Sequence, residues 1–229
     1  MEQNIEDTVI FYYDWLQLSD YEFKIIVLIR MLSDNGKIFK GTIEDIEKWL
    51  YIKTPTEINK AIKSLVNKKY ISFTKKNKIY TLTINDEYMM KKANREVERA
   101  KNYYEQIDKY IDIDKYREKL IITRATKENI NRIRKFNKAG GTPPAKWWNV
   151  IKLYIYALGC EEKETEVISY ELLKDLLNTT KGGVKNSSEQ LRKIELYKQL
   201  YTTREVKHKN ENGEWRSWGL IHHIIDTAF

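Results

Sequence analysis

Between residues 19 and 66 the apolar positions recur every three or four places, and after residue 70 they tend to alternate. The first spacing puts a stripe on one side of a helix, and the second puts it on one side of a strand. In SDYEFKIIVLIRML, residues 19–32, Phe23, Ile26, Val27 and Arg30/Met31 hold helical spacing. Ser19 and Glu22 form the S-x-x-E capping box that satisfies free amides at a helix start. Asn35-Gly36 ends the run. Thr42 caps a short second helix with Ile43, Ile46, Trp49 and Leu50 as its apolar stripe. A third helix opens at Thr54, with Pro55 at the favoured first position and Glu57 completing a box. Ile58, Ile62, Leu65 and Val66 are its core positions, while Asn59, Lys60, Lys63, Asn67 and Lys68 face away. YISFTKKNKIYTLTI, residues 70–84, reads as a β-hairpin around a Lys-Lys-Asn-Lys turn.

Residues 143–226 repeat this order without evident sequence identity. AKWWNVIKLYIYAL is helical and ends at Gly159, and CEEKETEV is an acidic loop. Ser169 caps YELLKDLLN, in which Leu172, Leu173, Leu176 and Leu177 are apolar. TTKGGVKN reads as a flexible turn. Ser187-x-x-Gln190 is a second capping box, and the helix that follows has Leu191, Ile194, Tyr197 and Leu200 as its core side. REVKHKNENGEWRSWG, residues 204–219, then forms a hairpin. A two-residue turn at Asn212-Gly213 pairs Glu211 with Glu214, Lys209 with Arg216, Lys207 with Trp218 and Glu205 with Leu220. That register puts Lys207, Lys209, Arg216 and Trp218 on one face and Val206, Trp215 and Ile221 on the other.

Helix, helix, a third helix with a basic outer face, then a basic-tipped hairpin is the order of a winged helix. In such a module the third helix enters the major groove and the hairpin rests on the backbone or minor groove. The distribution of charge fits. The net charge is +8, yet residues 1–50 carry −5, from 5 Lys/Arg against 10 Asp/Glu. Residues 51–84 carry +7, from 8 against 1, and residues 181–229 carry +3, from 9 against 6. Cations gathered on a third helix and hairpin suit phosphate, because each contact releases condensed counterions.

The middle segment, 85–142, is polar and helical in pattern. Val97, Ala100, Tyr104, Ile107 and Ile111 form a short heptad-like stripe, which serves either a homodimer or packing on a module. TKENINRIRKFNKAGGTPP reads as a helix and linker, with Arg132, Arg134, Lys135 and Lys138 as accessory cations.

Composition narrows the chemistry. One cysteine, Cys160, excludes an internal disulfide framework and suits a reducing cytosol. Three histidines and that cysteine leave too few ligands for a structural zinc site, so no metal or other cofactor is expected. His222 and His223 are neighbours in a strand and fall on opposite faces. No apolar run reaches the roughly 20 residues that cross a bilayer, so no membrane partner and a cytoplasmic location are expected. The one enzyme-like fragment is Glu205-x-Lys207, as in Mg²⁺-dependent nucleases. The nearest other acids, Asp175, Glu189 and Glu195, fall on helices, so a nuclease is only a minor alternative and no enzyme is expected.

The run LSDYEFKIIVLIRMLSDNGKI with TIEDIEKWL and TPTEINKAIKSLVNKKYI resembles the N-terminal winged helix of DnaD-like replication proteins. It is also similar to helix-turn-helix domains of phage and plasmid replication initiators. The segment from Leu191 to Asp226 resembles the last helix and wing of phage replication proteins. The middle departs from the DnaD-like pattern, which continues into a helical domain. The expected fold class is mainly α with small β-hairpins, an α+β chain of tandem winged helix modules, 1–84 and 143–229, on a charged helical linker, 85–142. The resemblance implies a sequence-specific double-stranded DNA-binding protein of a phage, plasmid or mobile element, in replication initiation or transcriptional regulation. Thr56, Asn59, Lys60 and Lys63, with Lys75, Lys76 and Lys78 on the wing, are the first set of DNA-contacting candidates. Lys185, Asn186, Ser188, Gln190, Arg192 and Lys193, with Lys207, Lys209 and Arg216 on the wing, are the second. Basic residues would grip phosphate, and Asn59 and Gln190 would read base edges. The competing class is a protein-binding adaptor that uses its winged helix surfaces for a protein partner or a second copy.

Overall fold

A computed structural model describes residues 8–33, 35–107, 110, 112–136, 146–158, 168–194, 201–209, 212 and 215–224. The described chain is mainly helical with three small antiparallel sheets, an α+β arrangement. It divides into two compact units, Met1–Lys127 and Glu128–Phe229. Residues 85–127 therefore belong to the first unit, not to a separate linker.

In unit 1, strand β1 (Thr8–Tyr12) runs into a 3-10 helix (Tyr13–Gln17) and then α1 (Asp20–Leu32). Every residue of α1 from Glu22 to Met31 is buried. α1 is buried all round because it meets β1 on one side and α2 (Ile43–Leu50), α3 (Pro55–Asn67) and a sheet on the others. Phe11 meets Trp15 edge-on at 6.0 Å and Phe23 at 6.4 Å between ring centres. The sheet joins β2 (Ile38–Gly41), β3 (Ile71–Lys76) and β4 (Ile79–Ile84) in the order β2-β4-β3. Phe39, Leu82 and Ile84 are buried toward the helices. The β3–β4 turn places Asn77 and Lys78 at φ of 49° and 66°, the consecutive left-handed pair that a two-residue type I′ turn uses.

The polar middle is not wholly helical. α4 (Asp86–Gln106) and α5 (Ile113–Leu120) lead to β5 (Ile121–Thr126), which pairs antiparallel with β1. Arg30 is buried and reaches Asp86 at the start of α4, Nη2 to Oδ1 2.6 Å and Nη1 to Oδ2 3.3 Å. Lys92 of α4 pairs with Asp14 at 2.5 Å and donates to the Tyr70 hydroxyl at 3.0 Å. Met89, Ala93 and Val97 are buried. The expected 97–111 stripe does not persist: α4 ends at Gln106, Ile107 is 41% exposed beyond it, and Ile111 lies outside the described residues.

Two local expectations for α3 also change. Thr54 is the N-cap residue but makes no side-chain cap bond, and Glu57 pairs with Lys60 at 2.8 Å. Val66 is exposed, because Ala61 and not Val66 completes the buried stripe with Ile58, Ile62 and Leu65.

α3 is tied to α1 through Glu22. The Glu22 carboxylate accepts from the Ser19 N–H at 3.0 Å and the Ser19 hydroxyl at 2.8 Å. It also accepts from the Ser64 hydroxyl of α3 and from the ammonium of Lys68, the residue that caps the end of α3, at 2.6 Å each. Burial alone would raise the pKa of Glu22. The bonds from Lys68, Ser64 and Ser19 outweigh it and hold the carboxyl below its ordinary value. A depressed carboxyl stabilises the fold above its unfolded pKa, and that contribution is lost as pH falls through the folded value. Glu22→Gln is therefore expected to be less stable than the parent at neutral pH. Denaturant unfolding should show the gap closing below about pH 4; a constant gap would contradict this.

Unit 2 contains α6 from Glu128 onward (the helix spans Lys127–Lys135), α7 (Trp147–Leu158), β6 (Ile168–Ser169) and α8 (Tyr170–Leu176). α9 (Lys181–Lys193), β7 (Tyr201–Lys209) and β8 (Trp215–Ile224) follow, and the sheet order is β6-β8-β7. Helix, strand, helix, helix, strand, strand, with the first strand beside the third, is the same order that unit 1 shows from α1 to β4. Lys152 of α7 is fully buried and donates to the Leu177 carbonyl at 3.0 Å, satisfying the end of α8. The acidic loop 160–167 and Cys160 lie outside the described residues.

α9 starts earlier than its apolar spacing indicates. Thr180 caps it, accepting from the Gly183 N–H at 3.0 Å, so 181–186 is helix and not a flexible turn. Ser187 is no cap: it lies mid-helix and is buried with Ser188 beside Val184 and Leu191. The helix closes at Lys193, and Glu195, Tyr197 and Leu200 lie outside the described residues.

Candidate nucleic-acid interface

The first candidate surface is built from α3 and the β3–β4 hairpin. Burial of Ile58, Ala61, Ile62 and Leu65 turns Thr56, Lys60 and Lys63 to solvent. Lys60 shares its charge with Glu57, an exposed pair of the kind that contributes little to stability. Lys63 makes no ion pair or hydrogen bond among the described residues. Lys68 is committed to Glu22 and is not part of the surface.

Asn59 is half-buried and bonded on both sides. Its Nδ2 donates to the Pro55 carbonyl at 2.9 Å, and its Oδ1 accepts from the Tyr80 hydroxyl at 3.1 Å. Tyr80 is buried on β4 and stacks near Phe73 at 5.4 Å. The Lys75 ammonium donates to the same hydroxyl at 3.3 Å and lies 4.8 Å above the ring. The chain Pro55–Asn59–Tyr80–Lys75 thus binds the first turn of α3 to the hairpin. Sequence reasoning missed Tyr80, since a tyrosine in a strand pattern reads as core, and its hydroxyl shows only once α3 and β4 are packed.

Lys76 and Lys78 extend the surface along the hairpin, both exposed and without an ion pair or hydrogen bond among the described residues. Lys78 occupies a left-handed position, φ 66°, that glycine would fill without strain. A side chain there costs on the order of 1–3 kcal/mol.

The second candidate surface is less uniform. On α9, Lys185, Asn186 and Lys193 are exposed and Gln190 is half-buried. Ser188 is 2% exposed and faces the core, so it is removed from the candidates. The Arg192 side chain lies outside what is described. In the β7–β8 hairpin the backbone register departs from the expected one. Glu205 pairs with Leu220 and Val206 with Gly219, but a bulge follows, and Lys207 pairs with Ser217, His208 with Arg216 and Lys209 with Trp215. One extra residue at Trp218 shifts the pairing by one place. Arg216 therefore falls in register with His208, not with Lys209, and no longer shares an alternation class with Lys207 and Lys209. The described pairing ends at Lys209 and Trp215, and the expected Glu211–Glu214 pair around Asn212-Gly213 lies outside the described residues. Of the accessory cations, Arg132 and Lys135 are exposed, Arg134 is buried, and Lys138 lies outside the described residues.

Among the described residues no cluster of three metal-ligating side chains occurs, and no helix is long and apolar enough to cross a membrane. Comparison with protein-family models, with curated protein sequences and with solved structures gives no match.

Proposed function

We propose that the chain is a double-stranded DNA-binding protein whose two units are winged helix modules, α1 to β4 and α7 to β8. The observation that carries this is the bond chain from Asn59 through Tyr80 to Lys75, which ties the exposed lysines of α3 and those of the hairpin into one cationic surface. A helix of this width fits the major groove, and lysines flanking it neutralise phosphates on either side. The shared element and sheet order of the two units supports the tandem arrangement. The biological role, replication initiation or transcriptional regulation, follows from the position of the bound DNA. Recovering bound fragments from the host element's DNA would place the site at an origin or a promoter. Purified protein is expected to retard a mixed-sequence duplex at low salt, and failure to retard any duplex overturns the proposal.

A further inference from the structure

We infer that the unit 1 module grips duplex DNA through its backbone and reads no bases, so that sequence discrimination by the whole chain arises outside residues 1–127. This rests on the DNA-binding proposal above. In helix-turn-helix proteins the N-terminal turns of the recognition helix contact base edges. In α3 those turns carry Thr56, Glu57, Asn59 and Lys60. Reading adenine takes a free amide with both a donor and an acceptor turned to the groove. The Asn59 amide is held at both ends, one N–H on the Pro55 carbonyl and one lone pair on the Tyr80 hydroxyl, so swinging it toward a base would break the tie between helix and hairpin. Lys60 faces Glu57 at 2.8 Å. A Lys60 that left Glu57 for guanine would strand that carboxylate beside phosphates. Thr56 is too short to span a base pair. Helix α3 contains no arginine and no glutamine. What remains, Lys63 two turns further along and Lys76 and Lys78 on the hairpin, is suited to phosphate. Asn59 and Tyr80 are then positioning residues, which set the angle between helix and hairpin.

The test uses the full chain and two duplexes, one selected by the protein from a random library and one with that sequence scrambled. Asn59→Ala and Lys60→Ala are each expected to weaken both duplexes by the same factor, leaving the ratio of affinities unchanged within about threefold. Combined Lys63→Ala, Lys76→Ala and Lys78→Ala should also leave the ratio unchanged and flatten the salt slope by roughly one unit per lysine. The triple variant alters only exposed side chains, so it keeps the test decisive should Asn59→Ala unfold. A change in the ratio beyond about threefold in any of the three overturns the inference, because even a weak base contact of about 1 kcal/mol discriminates by about fivefold. Wild-type protein that binds neither duplex overturns the DNA-binding proposal itself, a result distinct from binding with an altered ratio.

Discussion

Arg30→Met is expected to destabilise the protein by about 3–5 kcal/mol, the range for breaking one side of a buried ion pair. Arg30 is 3% exposed and holds four contacts together. Its guanidinium binds both Asp86 oxygens, donates to the Gly36 carbonyl at 2.9 Å and lies 5.1 Å over the Trp15 ring. Asp86 in turn accepts from the Tyr12 hydroxyl at 3.2 Å. Burial, with the Asp86 charge beside it, pushes the Tyr12 hydroxyl well above its ordinary value, so Tyr12 stays protonated and remains a donor. Methionine fills part of the volume but leaves the Asp86 carboxylate with one neutral donor and no counter-charge. The same change frees the Gly36 turn and detaches α4 from α1. Replacing both charges, Arg30→Met with Asp86→Leu, should recover part of the loss, since no buried charge is then left alone. Denaturant midpoints of the two variants and the parent measure both effects. A single variant that loses less than about 1 kcal/mol would show that the pair does not hold α4 in place.

Reversing Lys63, Lys76 and Lys78 to glutamate is expected to lower duplex affinity by at least two to three orders of magnitude at about 0.1 M salt. Each phosphate contact contributes a slope near −0.9 in the log-log salt dependence, or close to eightfold between about 1 M and 0.1 M salt. Three contacts together give roughly 500-fold, and the added carboxylates repel phosphate further. The three positions are exposed and make no ion pair or hydrogen bond among the described residues, so stability should change by no more than about 0.5 kcal/mol per site. Filter binding and thermal unfolding on the same preparations separate lost binding from lost folding. Retained affinity in a folded variant would place the DNA contact elsewhere.

What could be read from the sequence was what is local. α1, α2 and α3 follow from stripes at 3.6 spacing, and the Thr42 cap and the Asn77 turn lie where short-range rules put them. β2 spans four residues, too few to show a period. β1 and β5 pair across more than a hundred residues, and nothing near either names its mate, although the β-branched run Ile121-Ile122-Thr123 was a usable strand signal. The start of α9 was missed because two glycines outweighed the Thr180 cap, and the cap decided the outcome. The second hairpin failed for another reason. Its Asn-Gly pair suggested a register that the bulge near Trp218 overrides, and a bulge depends on both strands at once. For the candidate site, helical spacing found the exposed lysines of α3 correctly. The bond from Tyr80 to Asn59 joins residues 21 places apart, and no local pattern shows it.

The most direct measurement is the affinity of the full chain for a duplex as a function of salt concentration. With Lys63, Lys76 and Lys78 on phosphates, the log-log slope is expected to be about −2.7 from unit 1 alone, and at least as steep for the chain. No binding at low salt, or an affinity that hardly changes across the salt range, would contradict a surface built to hold the DNA backbone.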